Sequence, residues 1–116
     1  MHEMGIAMQV VEIATAAIPE DMAGSRVERV NLRVGKLSAV VPDSLRFCYD
    51  VIVRDTPLAN STLNIQEIPV SAKCGDCGHE WIAERPEFLC ARCGGGSVQI
   101  VSGQELEIVS IDIADA

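Results

Sequence analysis

The sequence predicts an α+β body, a sandwich-like pairing of a small mixed sheet with two helices, into which a four-cysteine, zinc-ribbon-like module is inserted. Three observations carry that expectation. One helical run opens the chain and a second lies near its middle; short stretches of alternating apolar and polar residues separate and close them; and a Gly- and Cys-rich stretch breaks the pattern between residues 71 and 97. A chain of 116 residues suggests one domain, or one domain with a small insertion, and is long enough to bury a real core. The expected division is a body of residues 1–70 and 98–116 and a module of residues 71–97.

The first helix is read over residues 3 to 18. Met4, Met8, Val11, Thr15 and Ile18 recur at helical spacing, and Ile6, Val10, Ile13 and Ala17 form a second row, leaving Gln9 and Glu12 on the remaining face. Pro19 ends the run because it has no N–H to give the ladder, and "PEDMAG" supplies one more turn before Gly24 stops it. In "RVERVNLRVGKL", Val30, Leu32 and Val34 point one way and Arg29, Asn31 and Arg33 the other, which is a strand with one wet face. Gly35 and "SAVVPDS" make a loop. A second helix is expected from Asp43 or Ser44, whose short polar side chains can cap free N–H groups, with Leu45, Cys48 and Ile52 on its inner face. "STLNIQEI" reads as the next strand, broken by Pro69, and "SVQIV" as a short one. "LEIVSIDI" closes the chain; its alternation shifts phase near Val109 and Ser110, the mark of a bulge.

The stretch "KCGDCGHEWIAERPEFLCARCGGG" follows different rules. Only Trp81, Ile82, Phe88 and Leu89 offer apolar packing, too little to hold so short a segment unaided. Cys74 and Cys77 form one C-x-x-C knuckle, and Cys90 and Cys93 form another. Tetrahedral zinc needs four soft ligands converging on a point, and each knuckle supplies two from one tight turn, with glycines at 75, 78, 94, 95 and 96 to bend the backbone around sulfur. Structural zinc contributes about 10–16 kcal/mol of apparent binding free energy in small modules, as much as the whole stability of an ordinary domain. Four sulfurs fill the coordination sphere and leave no place for a reactive water, so such a zinc is structural. Two disulfides, a redox dithiol and an iron site are the competing readings. Cys48 stands apart and reads as a small buried hydrophobe. His79, two residues past Cys77, is either a solvated turn residue or a neighbour of the metal that exchanges onto it as pH crosses neutrality.

Charge narrows the function classes. Nine basic against seventeen acidic residues give a net charge of −8, which works against binding nucleic acid or an anionic membrane surface. Within the module, Lys73, Arg85 and Arg92 face Asp76, Glu80, Glu84 and Glu87, and a zinc tetrathiolate adds two more negative charges. Scarce aromatics leave little on which bases could stack. No run approaches the roughly 18 apolar residues of a membrane span, and an acidic Glu3 without a basic leader does not suit a signal peptide. The expected location is the cytoplasm, where five cysteines point to metal binding or catalysis more readily than to disulfides.

Taken together, "MHE" at the start, the long helix, "VGKLSAVVPDSLRFCYD", the paired knuckles and the closing "ELEIVSIDI" give the chain its family resemblance. It resembles the HypA/HybF family, the nickel metallochaperones of NiFe-hydrogenase maturation, over essentially its whole length and in the same order. The resemblance implies that His2 is the essential nickel ligand and that Glu3 helps nickel binding or partner docking. It also implies a non-enzymatic protein that works with the maturation GTPase HypB, delivers to the hydrogenase large subunit and, in some bacteria, serves urease and its accessory proteins. Two positions depart from the family: Val41 stands where many relatives carry an acidic residue, and Gly94 where some carry a histidine. The terminus has suitable chemistry of its own. The Met1 α-amine, with an ordinary pKa of about 7.7–8.0, loses its proton at little cost. With the His2 backbone nitrogen and Nδ1 of its imidazole, it occupies three corners of a plane, an arrangement that suits Ni(II) or Cu(II). Glu3, water or another part of the protein supplies the fourth. The alternative is a zinc-ribbon module that binds protein or nucleic acid and makes no use of the terminus.

Overall fold

The computed structural model describes residues 2–84 and 89–114; Met1 and Phe88 lie outside them. The elements run α1 (His2–Ala16), β1 (Val27–Gly35), α2 (Pro42–Ile52), β2 (Thr62–Ile68), β3 (Ser71–Cys74), β4 (Glu80–Ile82), β5 (Val98–Ser102) and β6 (Leu106–Ile113). The class is α+β, as expected, with two three-stranded sheets ordered β2-β1-β6 and β4-β3-β5. The chain forms two compact units. One comprises Met1–Arg33, Val40–Gln66 and Glu107–Ala116; the other comprises Val34–Ala39 and Glu67–Leu106 and carries all four knuckle cysteines, together with β5.

In the first unit α1 packs against α2. The buried stripe of α1 is Ala7, Val10, Val11 and Ala14, at the i, i+3, i+4, i+7 spacing of one helix face. Met8 and Ile13, members of the two apolar rows, are 58% and 57% exposed. Apolar residues surround this helix on almost every side, so their period identifies a helix without selecting a face, and two alanines carry the seam. After Ala16 the chain leaves the helix; Pro19 is extended, a single 3-10 turn covers Glu20–Met22, and Gly24 turns the backbone at φ +91°.

The second helix starts earlier than its polar residues suggest. Val41 is its N-cap without any side-chain cap, and Pro42 occupies the first turn, where a missing N–H costs nothing. Asp43 accepts instead from Arg46 Nη1 at 3.0 Å. Leu45, Cys48 and Tyr49 are buried, while Ile52 is only half-buried. The Ser61 hydroxyl donates to the Leu58 carbonyl, so the Tyr49 hydroxyl donates to Ser61 Oγ, and the one large polar side chain in this core is satisfied.

On β1, Val30 and Leu32 are buried, and the alternate residues form a polar ladder. Arg29 Nε donates to Asp112 at 2.8 Å, Asn31 Nδ2 to Ser110 Oγ at 3.0 Å, and Arg33 Nη1 to Glu107 at 3.0 Å. The partners on β6 step 112, 110, 107, so the alternation slips by one residue between Glu107 and Ser110, where the sequence changes phase. The Arg29 hydrogen bond holds the Asp112 carboxyl below its ordinary range. Such exposed pairs contribute about 0–1 kcal/mol each and matter more for register than for stability.

In the second unit β3 pairs antiparallel with both neighbours, Ala72 opposite Trp81 on β4 and Cys74 opposite Val98 on β5. The Gly35 and Leu37 N–H groups donate to the carbonyls of Glu105 and Gly103, each at 2.7 Å. A Cβ on Gly35 would collide with the Gly103 carbonyl oxygen, a backbone atom with nowhere to go. Gly35→Ala is therefore expected to destabilise this unit by at least the ~1–3 kcal/mol usual for overpacking, read as a lowered midpoint in thermal unfolding.

Candidate metal centre

The two knuckles are built alike. The N–H of each first cysteine donates to the carbonyl five residues on: Cys74 to His79 at 2.8 Å and Cys90 to Gly95 at 3.0 Å. Four residues on, the N–H of Gly78 and of Gly94 returns to the carbonyl of the first cysteine, at 2.9 and 2.8 Å. Both glycines lie in the left-handed region, at φ +78° and +73°, with open space where a Cβ would stand. Glycine is used there for its backbone freedom. The Gly75 N–H reaches the Ser97 carbonyl at 2.6 Å, fastening the first knuckle to the strand leading from the second.

These turns bring Cys74, Cys77, Cys90 and Cys93 together with their sulfurs all within 4.8 Å of one another. Two separations are shorter, Cys74 to Cys93 at 3.5 Å and Cys77 to Cys90 at 3.7 Å. Four sulfurs at 2.3 Å from a tetrahedral centre stand about 3.8 Å apart, so donor chemistry and spacing both fit Zn(II). All five cysteines of the chain are free thiols. Little apolar packing supports the cluster: Ile82 and Leu89 are exposed and Trp81 is half-buried.

Backbone N–H groups point at the sulfurs. His79 N–H favours the Cys77 thiolate, but partial desolvation and the thiols of Cys90 and Cys74 raise that group above its ordinary value. Gly95 N–H does the same for Cys93, at 3.4 Å, and is outweighed by Cys74 and Cys77, which push Cys93 up to about 12. Burial would raise Cys90, yet the N–H groups of Cys93 and Arg92 and the adjoining thiols bring it down to about 7. Crowded thiolates cannot all ionise without a cation among them. The sign for metal binding follows. Cys77 and Cys93 hold protons at neutral pH, so zinc must expel about two or more, and affinity is expected to fall at least ~100-fold per unit of acidification near neutrality. Calorimetry in buffers of different ionisation enthalpy would count those protons; zinc uptake independent of pH would contradict the arrangement.

His79 does not join the sulfurs. Its ring stacks on Trp81, with centroids 5.5 Å apart and planes at 19°, and its carbonyl and N–H serve the first knuckle. That backbone role, like the Ser97 carbonyl, left no trace in residue type. Glu3 is half-buried in the first turn of α1. His2 begins the helix; its side chain, like Met1, lies outside what is described. Among the described residues, the four cysteines are the one group of three or more metal-type donors that converge, and no helix is long and apolar enough to cross a membrane.

Paired helices in one unit and a four-thiolate centre in the other define an α+β metalloprotein with a zinc-type structural site. The family model described as "Hydrogenase/urease nickel incorporation, metallochaperone, hypA" matches residues 1–113. A protein of Desulfosudis oleivorans named hydrogenase maturation factor HypA is 56% identical over 115 residues, 99% of this chain and 100% of that protein. The chain belongs to the HypA family of nickel metallochaperones for hydrogenase maturation. Its fold is likewise that of solved relatives. A solution structure of a HypA protein superposes with a TM-score of 0.71 at 21% identity, covering 98% of this chain and 97% of that one. The Ni metallochaperone HypA from Helicobacter pylori gives 0.63 at 18% identity, with 96% of each chain covered.

Proposed function

We propose that the protein carries Ni(II) at its N-terminus and delivers it during NiFe-hydrogenase maturation, while Cys74, Cys77, Cys90 and Cys93 hold a structural zinc. Family membership from residue 1 onward carries this reading. The start of α1 at His2 supports it physically. The first four N–H groups of a helix have no ladder partner, so the His2 amide gives up its proton to bind metal without breaking a helical hydrogen bond. The positive end of the helix dipole favours the anion that results.

Nickel is cargo. The Met1 amine, the His2 amide nitrogen and the His2 imidazole hold it, with Glu3, water or a partner's group completing the plane. Delivery is ligand exchange: competing ligands take the ion as amine and amide recover their protons. No covalent bond in a substrate is made or broken, so the protein is not an enzyme. Its partners are the maturation machinery, with the GTPase HypB and the hydrogenase large subunit as specific members and urease accessory proteins in some bacteria, and its place is the cytoplasm. Metal analysis of untagged protein tests the reading. One tightly held zinc and one exchangeable nickel per chain are expected. Zinc alone, with salt-dependent retention on nucleic acid, would replace the reading with a zinc-ribbon binding module.

A further inference from the structure

The four clustered sulfurs differ in exposure in a way that holding zinc does not require. In each knuckle the first cysteine, Cys74 or Cys90, is buried and the second, Cys77 or Cys93, is exposed. Each exposed sulfur also lies against a buried sulfur of the other knuckle: Cys93 is 3.5 Å from Cys74, and Cys77 is 3.7 Å from Cys90. We propose that Cys77 and Cys93 are sites of oxidation by hydroperoxides, and that each oxidised sulfur is captured across the knuckles, giving the disulfides Cys74–Cys93 and Cys77–Cys90 and releasing zinc. The inference rests on the zinc reading above.

The chemistry balances. A zinc-bound cysteine remains a thiolate, the nucleophilic form of sulfur. The exposed thiolate attacks the O–O bond of hydrogen peroxide; an S–O bond forms, the O–O bond breaks, and hydroxide leaves to take a proton as water. Sulfur is now a sulfenic acid, oxidised by two electrons. The buried thiolate beside it attacks that sulfur; the S–S bond forms, the S–O bond breaks, and hydroxide again leaves as water. Two thiolates, one peroxide and two protons give one disulfide and two waters. Repeated at the second pair, this consumes both peroxides and all four thiolates and frees Zn2+.

The pairing decides what happens next. These bridges join residues 19 and 13 positions apart, so the two knuckles stay tied to each other after the ion has gone. Bridges within each C-x-x-C would leave no covalent tie between the knuckles. Cys48, only 2% exposed and lying in the first unit, is out of reach of the oxidant.

The test uses the full, untagged chain. Zinc content is measured first, and its absence would overturn both the zinc reading and this inference. Hydrogen peroxide is then added stepwise, with zinc release followed by a chromogenic chelator and disulfides assigned by peptide mapping. Complete release at two peroxides per zinc is expected, with Cys74–Cys93 and Cys77–Cys90 as the bridges and full zinc re-uptake after treatment with a dithiol. Bridges within the knuckles, or first oxidation at Cys48, in a zinc-loaded protein would overturn the inference and leave the zinc site standing. A Cys48→Ser variant must give the same two bridges, and the loss of either would count equally against it.

Discussion

Replacing His2 by alanine is expected to cost at least about 100-fold in Ni(II) affinity while zinc stays at one ion per chain. The magnitude has a floor. Losing a group that merely orients a ligand costs 10–100-fold in metal affinity, and His2→Ala removes a ligand and the chelate ring it closes. Extending the chain at its N-terminus is expected to act similarly, because the Met1 amine becomes a peptide nitrogen that holds its proton far more tightly. Calorimetric nickel titration of untagged wild type, untagged His2→Ala and an extended chain would compare the three, with zinc content and circular dichroism as controls. Equal affinity in the variant would remove His2 from the site; an unaffected extended chain would remove the amine. The variant should keep its fold, since alanine favours a helix and the changed residue is the first of α1.

Cys90→Ala is expected to abolish zinc binding and to unfold the second unit while the helical unit persists. Cys90 is buried, accepts backbone N–H groups from Arg92 and Cys93, and lies 3.7 Å from Cys77. Removing its sulfur leaves three donors and forfeits most of an apparent binding free energy of about 10–16 kcal/mol. Packing offsets only part of that: Val34, Ile68, Val70 and Ala72 are buried in this unit, but Ile82, Leu89 and Val101 are exposed in the folded state. Hydrogen exchange would show the loss directly: protection of the β3–β5 pairing should disappear, while amides of α1 and α2 remain protected. A strong chelator should reproduce the result in the wild type and added zinc should reverse it. Wild-type zinc content in Cys90→Ala, or uniform loss of protection across both units, would contradict this account. Cys48→Ser, in the other unit, should leave zinc content unchanged.

The four-cysteine cluster was legible in the residues. Four cysteines in two C-x-x-C pairs announce their geometry, because few uses of that spacing exist outside metal sites. The alternation of β1 and the phase slip in β6 were equally readable, since one face of that sheet is wet: Arg29, Asn31 and Arg33 alternate on β1, and their β6 partners slip once, between Glu107 and Ser110. The inward face of α1 was not, because apolar residues on all sides make the buried Ala7 and Ala14 the least conspicuous members of the helix. The short polar side chains of Asp43 and Ser44 point to a later start for α2 than Pro42 gives it, and the spacing of Leu45, Cys48 and Ile52 passes over Tyr49, whose hydroxyl is satisfied by the distant Ser61. The strands β3 and β4 have four and three residues, too few for a period to appear, and exist through their pairing. The work of His79 is done by its backbone, which residue type does not encode.

The most direct test of nickel carriage is X-ray absorption at the nickel edge on the untagged, zinc-loaded protein with one equivalent of Ni(II). A planar ion bound by nitrogen donors, without sulfur, is the result predicted from the Met1 amine, the His2 amide and the His2 imidazole. A nickel ion held by the knuckle sulfurs, or by carboxylates and water alone, would contradict it.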